Sequence, residues 1–89
     1  MSETKFTPGN WVARIGNGIE VCGPDAVAIA EIWLRGNKEL ETANAHLIAA
    51  APELYEALER IESNPCLKDM NYYTQEAVKS ALAKARGEA

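Results

Sequence analysis

The chain is short of the residues from which most enzyme and metal chemistry is built. It has one histidine, His46, and two cysteines, Cys22 and Cys66, far apart and outside any CxxC pair. A structural zinc needs cysteine and histidine in clusters, so no metal is expected. Two isolated thiols read as reduced residues rather than a disulfide. No apolar run nears the roughly 20 residues that a membrane-spanning helix needs, so no membrane is expected as a partner. The opening "MSETKFTPGN" is polar and lacks the apolar core of a signal peptide, which makes a cytoplasmic protein the expectation. Positive charge is scarce as well. The formal charge is −4, and the stretch from Lys38 to Asn64, with six acids against Lys38 and Arg60, carries the whole excess. A phosphate backbone attracts the opposite sign, so nucleic acid is disfavoured.

What remains describes an ordinary globular chain. Hydrophobic residues make up 47% and charged ones 25%, which separates it from disordered sequences. Its 89 residues are expected to form one domain, 1–89, burying only about 60–65% of the unfolded surface. No GxSxG, HExxH or P-loop is present. Gly16 and Gly18 form a GxG, but between two strand patterns, whereas a phosphate-binding loop follows a strand and opens a helix. No cofactor is expected.

The N-terminal half is patterned as strands. In "TPGN" (7–10), Pro8 and Gly9 suit the central positions of a type II turn. "WVARI" (11–15) and "IEVC" (19–22) flank "GNG", and Asn17-Gly18 suits the tight turn of a hairpin. "GPDA" (23–26) marks another turn before "VAIAEIWL" (27–34). That segment tolerates a helix, but its β-branched residues and Trp33 favour a strand. Its alternation puts Val27, Ile29, Glu31 and Trp33 on one face and Ala28, Ala30, Ile32 and Leu34 on the other.

Asn37 can cap the helix that follows. From there Leu40, Ala43, Leu47, Ala50/Ala51, Leu54, Leu58 and Ile61 form an in-phase apolar stripe, expected to pack on the sheet. Pro52 interrupts the pattern without shifting its phase. Proline is tolerated in a helix's first turn and costs about 3 kcal/mol or more inside it, so Pro52 suits the start of a second helix. Whether it breaks or kinks the helix stays open. Asn64 precedes Pro65 and is pushed out of helical geometry. A linker (66–73) then leads to a last helix with Thr74 as cap, whose final residues are expected to fray. Helices are thus placed at about 38–50, 52–63 and 74–86. The expected fold is α+β: a three-stranded antiparallel β-meander packed on a long, kinked or broken helix, plus a short C-terminal helix.

Several residues are candidates for function. Glu53, Glu56, Glu59 and Glu62 recur every third position and read as a solvated face or as an acidic contact face, including one that imitates a phosphate backbone. Val27, Ile29 and Trp33 are more apolar than a solvent face requires, so they pack under a loop or meet a partner. Tyr72 and Tyr73 read as tucking the linker onto the core, or as partner anchors. His46 has only Glu39 and Thr42 within a helical step and reads as a surface residue.

"FTPGNW" (6–11) together with "ANAHLIAAAPELYEALE" (43–59), with "VAIAEIW" (27–33) between them, resembles a widespread family of short phage and prophage proteins. Its members share an N-terminal TPGxW element and an "ANAxLIAAAPELLEAL"-like helical signature. This sequence departs from the pattern at Asn10, where a second proline is common, and at Tyr55, where leucine is usual. The resemblance implies an accessory protein in the host cytoplasm that binds a bacterial host or defence protein. It implies no catalytic residues. The leading expectation is therefore a non-enzymatic binder, with inhibition of its target as one mode of action. A second expectation is a homo-oligomer that sequesters a nucleotide-like ligand, with Trp11, Arg14, Trp33, Arg35 and Tyr72 as contacts. A small hydrolase is the third, and no motif supports it.

Overall fold

The computed structural model describes residues 6–33 and 36–88. In order, it forms β1 (Val12–Ile15), β2 (Ile19–Cys22), β3 (Ala28–Ile32), α1 (Lys38–Ala49), α2 (Ala51–Ser63), a short 3₁₀ helix (Pro65–Asp69) and α3 (Tyr72–Ala85). The fold is α+β, with three strands in one antiparallel sheet of order β1-β2-β3. The chain divides into two compact units, Met1–Pro52 and Glu53–Ala89.

In the first unit, register assigns the faces, because directly paired residues share one. Ala13, Val21 and Ala30 lie in one row and Ile15, Ile19 and Ile32 in the next, on the side that α1 covers. Ile19 and Val21 are buried with Ala45 of α1, and Trp11, Ile48 and Ala49 pack around them. Burying an aliphatic side chain of this size is worth about 1.5–3 kcal/mol, so β2 is the centre of the unit.

The helix meets the sheet with a different side from the one its leucines suggested. Ala45 is 0% exposed and Glu41 is buried, whereas Leu40 and Leu47 are 62% and 63% exposed. Positions 41, 45, 48 and 49 form the packing face. The reason is size, since alanines let a helix backbone approach a sheet that the leucine side would hold away. Glu41, a charged residue at the head of that face, hid it from an apolar pattern.

Both hairpins differ in detail from their sequence signals. The first closes on an Ile15↔Ile19 pair through a three-residue loop in which the Gly16 N–H donates to Gly18 O. Neither Asn17 nor Gly18 takes the positive φ of a type I′ turn; among the described residues, only Gly9, Ala26, Gly36 and Gly87 do. In the second, Ala26 N–H donates to Gly23 O and Gly23 N–H to Val27 O, a type I turn completed by Ala26 at φ 63°. The β2–β3 register then slips between Val21 and Cys22. Val21 pairs with Ala30 and Cys22 with Ala28, which leaves Ile29 as the extra residue of a bulge. The expected alternation of 27–34 breaks there. Strand ends at 34 lie outside the described residues.

The N-terminal arm is fastened to this second hairpin. Gly9 has φ 92°, as the type II turn after Pro8 requires, and a Cβ there would lie 2.8 Å from Pro24 Cγ. Trp11 Nε1 donates to Thr7 O at 3.0 Å, and the Trp11 ring meets Phe6 edge-on.

At the junction of α1 and α2, Ala50 is the C-cap of α1: its N–H closes the last turn on His46 O and Leu47 O, and Pro52 occupies the first turn of α2. The proline breaks the helix rather than kinking a continuous one, because its missing N–H costs nothing there. Asn37 caps α1 by accepting from Leu40 N at 3.1 Å.

The second unit buries Leu67, Val78 and Leu82. Asn64 has extended geometry (ψ 129°) ahead of Pro65, and its side chain accepts from Cys66 N at 2.8 Å. The segment expected as a linker instead holds the 3₁₀ helix, tied to α3 by Gln75 Nε2 donating to Met70 O at 2.7 Å. α3 begins two residues before the expected cap. Asn71 is the cap, accepting from Thr74 N at 2.8 Å, so Thr74 is the donor in that bond. α3 is closed by a glycine cap: Gly87 at φ 76° lets Gly87 N–H reach Lys84 O and Glu88 N–H reach Ala83 O.

Candidate functional site

The face of the sheet opposite α1 carries a row of charge across all three strands. Arg14 on β1 pairs with Glu20 on β2, which pairs with Glu31 on β3. Three short strands place them side by side because each is the outward residue of its alternation. Glu20 and Glu31 are like charges directly opposite each other, an arrangement that costs stability and is held by the inward rows. At the β1–β2 turn end of the sheet they line, with Trp33, an open depression of about 620 Å³ that wraps past the turn to take in Ile15, Ile19 and Ile32 of the inward row. Trp33, at the end of β3, is 78% exposed. Two carboxylates against one guanidinium favour a basic or hydrogen-bond-donating partner over an anion.

The other apolar candidates do not join this site. Val27 is exposed in the turn just before β3, and Ile29 is half-buried, its Cδ1 3.4 Å from where a Gly23 Cβ would lie. The bulge separates what alternation had placed together. Trp11 packs at the edge of the core with its N–H already bonded. Arg35 lies outside the described residues, and Tyr72 belongs to the second unit. Among the described residues, Arg14 and Trp33 of the expected ligand contacts share this depression, and Glu20 and Glu31, which sequence reasoning missed, share it with them. Their register was the missing signal.

A second hollow lies on the outward side of α1, lined by Lys38, Glu39, Thr42, Ala43 and His46. Among the described residues no group of histidine, cysteine and acidic side chains is placed to hold a metal ion. No helix among them is long and apolar enough to cross a membrane.

The sequence model of the family described as Salmonella phage P22 protein Y8K6 matches residues 1–89. The chain belongs to that family. It is a phage protein, as the resemblance implied, and no curated protein or solved structure matches it.

In this Y8K6-family chain the acidic row of α2 is divided by its neighbours. Arg86 Nη2 lies 3.5 Å from Glu59 Oε2 and 3.5 Å from Glu62 Oε1. Arg86 Nε donates to Tyr55 Oη at 2.8 Å, and the guanidinium sits over the Tyr55 ring. The hydrogen bond to Tyr55, then the charge of Glu62, raise the Arg86 pKa above its ordinary value. Glu59 and Glu62 therefore anchor the end of α3, and Glu53 and Glu56 are the exposed acids of the four. Tyr72 and Tyr73 sit in the first turn of α3, exposed and edge-to-face at 5.8 Å, not tucked onto the core.

Proposed function

We propose that this phage protein acts without catalysis, by binding a bacterial host or defence protein through the open face of its sheet. The observation that carries the proposal is Trp33, largely exposed beside the Arg14–Glu20–Glu31 row. Tryptophan and arginine dominate the energetic centres of protein interfaces, and an exposed Trp beside paired charges supplies an anchor with specificity around it. Among the described residues that line the depression there is no serine, cysteine or histidine, which supports binding over hydrolysis. The site of action in this proposal is the host cytoplasm.

Affinity capture from host lysate tests it. Wild-type protein should retain one bacterial protein, and Trp33→Ala should lose it at least roughly tenfold in affinity while keeping its fold. Equal retention by Trp33→Ala would remove the sheet face from the proposal. Glu56→Lys tests the exposed remnant of the acidic row in the same assay.

The sequestering alternative rests on Arg14 and Trp33 sharing one depression. Glu20 and Glu31 oppose a phosphate there, so a nucleotide is poorly served. A thermal shift with nucleotides would support that alternative, and none would remove it.

A further inference from the structure

The outward side of α1 has a symmetry of its own. Leu40 and Leu47 are two turns apart and form a ridge, each more than 60% exposed. Glu39 and His46, also two turns apart, border the neighbouring hollow, and Ala43 lies in the trough between the two pairs. Both pairs straddle Ala43. The opposite side of the helix is already spent on the sheet, with Ala45 fully buried.

We propose that α1 docks on α1 of a second copy, in a two-fold symmetric dimer with the two helices antiparallel and the axis passing at Ala43. In such an isologous contact the same flank of each helix meets itself in reverse order. Each Leu40 then lies against Leu47 of the second copy. On the other flank each Glu39 carboxylate accepts from the imidazole N–H of His46 of the second copy. Ala43 at the axis lets the backbones approach. A parallel two-fold arrangement would set the Glu39/His46 flank of each helix against the Leu40/Leu47 flank of the other, which forfeits this complementarity. A small first unit with few buried aliphatic residues gains in addition by covering two leucines. The contact uses the opposite side of the unit from Trp33 and does not depend on what binds the sheet.

Sedimentation equilibrium of the full chain over a wide concentration range tests the proposal. Wild type should approach twice the 9.7 kDa chain mass. Leu47→Glu should raise the dissociation constant at least roughly tenfold with unchanged circular dichroism. Ala43→Arg, at an exposed helical position, crowds the axis and should do the same, so a folding failure of either variant leaves the other informative. Glu39→Lys should weaken the dimer and Glu39→Lys with His46→Glu should restore it. Val27→Glu, on the sheet, should leave it intact. A wild type that stays monomeric, or a dimer indifferent to both Leu47→Glu and Ala43→Arg, overturns the proposal. A charge swap that fails to restore overturns the antiparallel arrangement.

Discussion

Ala26 holds a backbone conformation that an L-residue enters at a cost, φ 63°, because the second hairpin needs a left-handed residue after its type I turn. Glycine would enter it freely. Ala26→Gly should therefore raise stability by about 1 kcal/mol, read as a shift in the urea midpoint at unchanged slope. Gly9 is the converse case. Its positive φ and its approach to Pro24 both exclude a side chain, so Gly9→Ala should cost about 1–3 kcal/mol and loosen the N-terminal arm. The glycine was legible in "TPGN"; the strain at Ala26 was not, because nothing in "GPDA" shows which residue takes the left-handed position. Arg86 holds α3 through Tyr55, Glu59 and Glu62. A raised pKa contributes stability that is present below the unfolded value and lost only as pH rises through the folded one. For arginine that window lies beyond working pH, so the charge on Arg86 itself stays constant there. Arg86→Met should speed amide exchange at the end of α3, and equal exchange would show that the ion pairs hold nothing.

At the scale of elements, the outcome turned on which side of a helix a sheet accepts. Ala45→Leu should overpack the α1–sheet contact and cost about 1–3 kcal/mol. Leu47→Ala, on the outward side, should change the stability of the monomer by no more than about 0.5 kcal/mol. The reverse ranking would restore the leucine stripe as the packing face. Caps were partly legible. Asn37 acts where its sequence position suggests, the cap at Asn64 was not expected, and at α3 Asn71, immediately ahead of the tyrosines, takes the place expected of Thr74. Asn71→Ala should cost about 1 kcal/mol by thermal melting, and Thr74→Ala much less. The closure at Gly87 was there to be read in "ARGEA", since glycine just beyond a basic last turn is a stop signal.

For the molecule as a whole, the sequence by itself determined the kinds of element and their order. Alternation of apolar residues, turn glycines and prolines, and helical spacing are local properties, and each acts within a few residues of chain. They give three strands and then three α-helices, with an interruption at Pro52 that only the structure resolved into a break. Family membership is likewise carried by the linear order of residues, over 1–89. The tertiary structure decided which faces are spent and which are free. An alanine side of α1 won the sheet because it packs closer, and that choice left Leu40 and Leu47 outward. A bulge at Ile29 split Val27 from Trp33, and register set Glu20 and Glu31 beside Arg14. Arg86, remote in sequence from α2, withdrew half of the acidic row. None of these is a local property: each depends on competition among partners brought together by folding, and a sequence pattern states a preference without naming the competitor.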